Sequence, residues 1–283
     1  MSSPRLRNLA YGMLGSVADA EDVLQDAELK LLQLQEPPDN REAFMFRVVT
    51  NLSLDRLRML KRQRENYPGP WLPEPLATPD PEEHVELAEQ LSLGFVLMLE
   101  RLTPGQRIVF VLRKGFDYSF AEIAGVLEIS EVTCRQRYRR AKLQLEGAQR
   151  FDTPLVEQRA LLEQLVAAVQ TGEAHNVVKL LSDEAVALTD GGGVVSAAIV
   201  PVTDPQRIAQ VTMFLAQKAA QAGELTLEYH NLNMGVGLLV YQAGAVHSCV
   251  LVDGAAGRID RIYVVRNPHK LARLAQFGEA VVS

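Results

Sequence analysis

The sequence predicts a multidomain chain: two all-α domains, the second built around a helix-turn-helix, followed by an α+β domain. Three observations carry this prediction. Apolar residues recur at helical spacing through residues 5–66 and 82–150, whereas strand-like runs rich in Val, Ile and Leu begin only at Val186. Between the helical stretches, residues 67–81 (YPGPWLPEPLATPDP) contain Pro68, Pro70, Pro73, Pro75, Pro79 and Pro81 together with the only tryptophan, Trp71. That composition makes a stiff, extended connection rather than a flexible tether. At 283 residues there is chain enough for two or three separate cores. The expected boundaries are 1–66, a linker over 67–81, 82–150, and 155–283.

The first domain reads as three helices. Leu6, Leu9, Ala10, Met13 and Leu14 make one apolar face, which Gly15 ends. Ala18 to Leu34 turns Val23, Leu24, Ala27 and Leu31 inward and carries acids along its first turns. After Pro37-Pro38, Asp39 with Glu42 resembles a capping start for a helix from Arg41 to about Glu65, apolar at first and cationic at its end. Left in water, Trp71 in the linker would forfeit roughly 2–3 kcal/mol of burial, so it is expected to dock. Residues 82–99 read as an acidic amphipathic helix. Thr103, Pro104 and Gln106 then open a helix that runs to Lys114.

The stretch Ser119 to Lys142, SFAEIAGVLEISEVTCRQRYRRAK, reads as the helix-turn-helix. Ser119 and Glu122 form a capping box, the chain breaks at Glu128-Ile129, and Ser130 caps a second helix dense in Arg and Lys. Such a helix fits the DNA major groove, with its early residues at base edges and later cations on phosphates. Whole-chain charge is −6, but its distribution is uneven. Residues 1–66 carry ten Lys/Arg against ten Asp/Glu, 67–100 none against seven, 101–154 ten against six, and 155–283 nine against twelve. The helix-turn-helix segment is therefore net +4, and local cation clusters set phosphate affinity.

From Leu155 the pattern changes. Helices are expected over Leu155–Thr171, Ala174–Leu181 and Pro205–Ala222. Strands are expected over Val186–Asp190, Val194–Val200, Leu225–Leu232, Val236–Tyr241, Val246–Val252 and Ile259–Arg266, with Asp253 to Gly257 as the turn between the last two. No run of about 18 apolar residues suggests a membrane span. The two cysteines, Cys134 and Cys249, fall in different expected domains, which argues against a disulfide framework and for a cytoplasmic protein.

In this order the motifs resemble those of bacterial extracytoplasmic-function sigma factors. YGMLGSVADAEDVLQDAELK and AFMFRVVTNLSLDRLRMLKRQRE are similar to their second sigma domain, and LTPGQRIVFVLRKGFDYSFAEIAGVLEISEVTCRQRYRRAK to their fourth. The linker GPWLPEP, the DGGG of 190–193 and RNPHKL at 266–271 resemble a subgroup with a fused SnoaL-like C-terminal domain, a cone with a curved antiparallel sheet. The resemblance implies core RNA polymerase and promoter DNA as partners, with no cofactor, metal or catalytic residue. It places Glu21, Asp22, Gln25 and Asp26 against polymerase. Asn40, Arg47, Asn51, Asp55, Arg56, Arg58, Lys61 and Arg62 fall to the melted −10 element. The −35 element falls to Ser130, Thr133, Arg135, Gln136, Arg137, Arg139, Arg140 and Lys142. Contacts that regulate the protein between domains are implied for Trp71, Leu72, Pro73, Glu74, Asp190, Gly191, Gly192, Gly193, Asn267, Pro268, Lys270 and Leu271. Four positions depart from the pattern: Glu128 stands where the turn often has Gly, Glu131 places a negative charge near the bases, and Val194 and His269 replace the usual Lys and Asp.

Two other readings compete. A SnoaL-like cone also suits cyclase or isomerase chemistry, or the sensing of a small ligand, with Asp190, His230 and His247 as candidate bases. A promoter-binding activator or repressor that borrows only the helix-turn-helix leaves the −10-like features of residues 1–66 without a use.

Overall fold

The computed structural model describes residues 3–78, 92–146, 153–233 and 235–274. Two compact units emerge: Met1–Asn66 with Gly94–Gln149, and Tyr67–Leu93 with Arg150–Ser283. The proline-rich linker thus belongs with the C-terminal domain, and the two helical regions share one unit.

In the first unit, α1 (Pro4–Leu14), α2 (Val17–Leu32) and α3 (Arg41–Arg64) pack around Leu9, Leu14, Val23, Ala27, Val49 and Leu57. Gly15 ends α1 in the left-handed conformation expected of it, with φ +66°. The α3 cap is Asn40 rather than Asp39, since its side chain accepts from the backbone N–H of Ala43 at 2.9 Å. Of the acidic helix expected over 82–99, residues 82–91 lie outside the described residues. Helix α4 covers Leu93–Met98. Helices α5 (Pro104–Gly115), α6 (Phe120–Leu127) and α7 (Glu131–Leu145) follow. Both expected capping boxes form, Thr103 with Gln106 and Ser119 with Glu122, and Ser130 caps α7. Phe46 of α3 stacks on Tyr118 at 4.7 Å, and the Arg5 guanidinium lies over both rings.

In the second unit, α8 (Leu155–Gln170), α9 (Ala174–Leu180) and α10 (Pro205–Gln221) cover one face of a five-stranded sheet. The strands are β1 (Leu181–Asp190), β2 (Leu225–Leu232), β3 (Gly235–Gln242), β4 (Ala245–Ala255) and β5 (Arg258–Val265), in the order β1-β5-β4-β3-β2. The sheet is mixed rather than wholly antiparallel, because β1 runs parallel to β5. Val194–Val200 is not a strand. Gly192 and Gly193, both at positive φ, throw the chain into turns; Ala198 is held by the Thr189 side chain, and Val202 forms an isolated bridge to Ala187. The β4–β5 turn is tighter than expected: Asp253 and Gly254 stay in β4 at a bulge, while Ala256 and Gly257, both at positive φ, make the reversal.

Candidate functional sites

Helix α7 is fixed to its unit by one stripe. Cys134 and Ala141 are buried, and Tyr138 between them stacks on Phe110 at 5.7 Å and meets Phe120 edge-on. The helix enters through Glu128, which holds φ +54° and ψ +43°, so the non-glycine residue does take the left-handed turn. Ser130 Oγ accepts from Thr133 N–H at 3.2 Å and lies 2.8 Å from the Thr133 hydroxyl, so both side chains are engaged in forming the first turn. Arg135 pairs with Glu131 and lies 4.9 Å over the Phe120 ring. Glu131 thus answers a cation of its own helix. Arg137 lays its guanidinium against Gly105, so closely that a Cβ there would come within 3.2 Å of Cζ. Gln136, Arg139, Arg140 and Lys142 are exposed.

The residues expected near a −10 element divide into two sets. Arg47, Asn51, Asp55, Arg58 and Arg62 are exposed at intervals of three and four residues, which places them on one face of α3. Asp55 accepts from Arg58 at 2.8 Å, and Asn40 spends its carbonyl oxygen on the helix cap. Arg56 instead turns to α2, donating to Asp19 at 2.7 Å with Asp22 3.4 Å away. Lys61 donates to the backbone carbonyls of Glu100, at 2.9 Å, and Leu102. Burial lowers the Lys61 pKa, with Glu100 opposing the shift. On α2, Glu21, Asp22, Gln25 and Asp26 are exposed, beside the exposed apolar side chains of Leu29 and Leu32.

A buried charge cluster that the sequence reading missed lies in the same unit. Arg107, with none of its surface exposed, donates to the Gly12 carbonyl at 3.0 Å and to Glu100. Arg64 donates to Glu100 at 2.8 Å and to the Leu14 carbonyl at 2.6 Å. Burial alone would push the Glu100 carboxyl up, but Arg107 and Arg64 outweigh it and hold the pKa below its ordinary value.

The second unit gathers its candidates around Asp190, at the end of β1, whose side chain is fully buried. One carboxylate oxygen accepts from the Tyr67 hydroxyl at 2.5 Å and the Gly192 N–H at 3.0 Å. The other accepts from the Leu72 N–H at 2.9 Å and Lys270 Nζ at 2.6 Å. Lys270 also donates to the Leu72 carbonyl at 2.5 Å and stands 4.4 Å over the Trp71 ring. Asn267 donates to the Tyr67 hydroxyl at 3.0 Å, and a Cβ at Gly192 would run into that amide. Leu72 is fully buried, Glu74 reaches Arg273 at 3.5 Å, and Leu271 is buried beside the cluster on α11 (Pro268–Leu271). Further along, Leu76 and Asn233 exchange hydrogen bonds, and Ala77 bridges to Leu232. Tyr67 and Asn233 were not foreseen: an aromatic at the linker's start and a left-handed Asn, φ +54°, were the signals available. Gly193, Pro68, Val194 and His269 make no hydrogen bond to the Asp190 carboxylate, so the two substitutions for Lys and Asp leave this cluster intact.

All four contacts to the Asp190 carboxylate are made by the chain itself. His230 pairs with Glu228 at 2.9 Å on β2, at the opposite edge of the sheet from β1. His247 lies 3.1 Å from Arg266 on β4, and burial, with Arg266, lowers its pKa. Among the described residues no group of three His, Cys, Asp or Glu has metal-holding geometry, and both cysteines are free and buried.

Comparisons with known proteins match these units. The family model described as Sigma-70 region 2 matches residues 1–63, and that for Sigma-70, region 4 matches residues 93–145. The chain is 35% identical over 219 residues to the ECF RNA polymerase sigma factor SigJ of Mycobacterium tuberculosis, across 75% of this chain and 70% of that protein. It is 28% identical over 182 residues to the probable ECF RNA polymerase sigma factor SigI of the same species, covering 62% of this chain and 63% of that protein. The crystal structure of M. tuberculosis SigJ superposes with a TM-score of 0.74 at 28% identity, covering 94% of each chain.

Proposed function

Because the chain belongs to the extracytoplasmic-function sigma factors, we infer that it binds core RNA polymerase, recognises promoter DNA and directs the start of transcription. Its place of action is then the cytoplasm. Within that activity, we assign the exposed acidic and apolar face of α2 to the polymerase, the exposed face of α3 to the −10 element, and α7 to the −35 element. The C-terminal domain acts as a built-in regulator by holding the linker that joins the two promoter-reading regions. The observation that carries this is the Asp190 carboxylate, which takes hydrogen bonds from Tyr67 and Leu72 of the linker and from Lys270 of α11. Releasing the linker changes the free length of chain between the regions, and so their reach along DNA.

The test is run-off transcription with core polymerase on a promoter obtained by selection, comparing the full chain with Asp190→Asn and Trp71→Ala. Transcription by the parent chain and an altered yield in both variants are expected. Parent-level yield from both variants overturns the regulatory role while leaving the sigma activity standing. The catalytic alternative has no comparable support, since His230 lies on the sheet edge opposite the strand of Asp190 and the Asp190 carboxylate is fully engaged.

A further inference from the structure

Resting on the assignment of α7 to the −35 element, we propose that Val132 and Gln136, rather than the helix's arginines, read its bases: Val132 packs on a thymine methyl, and Gln136 pairs with an adenine within two base pairs of it. The buried stripe of α7, through Cys134, Tyr138 and Ala141, defines which side faces away from the protein. At 3.6 residues per turn, the line opposite that stripe runs through Val132, Gln136, Arg139 and Leu143. All four are exposed, Val132 by 63%. Arg135, Arg140 and Lys142 project to the flanks, where the two phosphate backbones bound a groove. Arg137 lies against α5, and Arg135 is tied to Glu131 and Phe120.

In a helix-turn-helix, base edges are met by the early residues of the second helix. Only Val132 and Gln136 are both early and central here. Arg139 lies two turns in, and Ser130 and Thr133 are engaged with each other. An exposed valine offers no hydrogen bond, so the base feature it can recognise is the thymine C5-methyl in the major groove. Gln has the donor and acceptor that match adenine N7 and N6. The two residues stand four positions apart, a rise of about 6 Å, which spans between one and two base-pair steps of about 3.4 Å.

The test uses holoenzyme made from the full chain and core polymerase, on the selected promoter, with each −35 thymine in turn replaced by deoxyuridine, which removes only the methyl. The parent chain is expected to lose about fourfold at one thymine, the worth of one buried methyl group. Val132→Ala is expected to show no such loss there. A neighbouring adenine changed to 7-deazaadenine is expected to cost the parent about tenfold and Gln136→Ala little. Equal tolerance of deoxyuridine at every position, or a Val132→Ala protein as sensitive as its parent, overturns the assignment while the unmodified promoter still reports sigma activity. Absence of transcription from the unmodified promoter overturns the sigma reading and this assignment with it. Since Val132 is exposed, its truncation leaves the fold unchanged, and circular dichroism checks this.

Discussion

Helices α3 and α7 each carry five cations in their cationic stretch, yet they spend them differently. On α3, Arg56, Lys61 and Arg64 turn inward to Asp19, to two backbone carbonyls, and to Glu100 with the Leu14 carbonyl. On α7, Arg139, Arg140 and Lys142 stand exposed, and only Arg135 and Arg137 are held by neighbours. Equal charge in the sequence therefore means unequal charge available to a polyanion. A cation with a buried partner contributes to folding, whereas an exposed one contributes to counterion release.

The sharpest way to break this comparison is to remove the acid that pairs with Arg64 of α3 and Arg107 of α5. Glu100→Ala leaves Arg107 buried without its carboxylate, and breaking such a pair costs about 3–5 kcal/mol. Urea unfolding followed by helical circular dichroism should show the midpoint fall accordingly. Because the folded-state pKa of Glu100 is lowered, its contribution is present above the ordinary carboxylate range and is lost as pH falls through the lowered value. Glu100→Gln should therefore be less stable than the parent at neutral pH, with the gap narrowing under acid. An unchanged midpoint and acid slope would show that the cluster holds nothing.

A smaller loss is expected one turn back along α3. Lys61→Met removes the donor to the Glu100 and Leu102 carbonyls, and a half-buried acceptor left unpaired costs about 1–3 kcal/mol. If Lys61 is structural, this variant loses stability but keeps the parent's salt dependence of promoter binding. A changed salt slope at parent stability would move Lys61 back among the DNA contacts.

The turn ahead of α7 offers an opposite sign. Glu128 occupies a left-handed conformation that costs a non-glycine residue roughly 1–2 kcal/mol. Glu128→Gly should raise the unfolding free energy by about 1 kcal/mol, less the entropy that glycine adds to the unfolded chain. A fall in stability would mean that the Glu128 side chain supports the turn by more than the strain it incurs.

What was legible in the sequence follows from the range of the forces involved. The caps at Ser119, Thr103 and Ser130, the stop at Gly15 and the apolar stripes of α1 and α2 are local, and reading them needs only neighbours within four residues. The Asp190 cluster was partly legible, because Trp71, Leu72, Asp190, Asn267 and Lys270 lie in motifs that a family resemblance marks. Tyr67 and Asn233 lay outside the set named. Glu100, Arg64 and Arg107 were not legible at all, since their meeting depends on packing residues 1–66 against 94–146. Val194–Val200 is β-branched like a strand, but Gly192 and Gly193 at positive φ turn the chain before it can extend along the sheet. The sheet is mixed where an antiparallel one is expected, because the parallel pairing of β1 with β5 is set by the long path between them, not by either strand's residues.

The smallest stability effect makes the most direct test of what α7 keeps in reserve. Arg140 is exposed on the helix flank and no carboxylate pairs with it among the described residues, so Arg140→Ala should move the unfolding midpoint by less than about 0.5 kcal/mol. Holoenzyme binding to promoter DNA should nevertheless weaken, and the slope of log K against log salt should become shallower by about 0.9, the signature of one lost phosphate contact. The loss should be the same on promoters that differ only in −35 sequence, since a phosphate contact carries no base information. A loss that depended on the base sequence would place Arg140 in the groove and shift the central line of α7. An unchanged salt slope would mean that even exposed cations on this helix stand clear of the backbone.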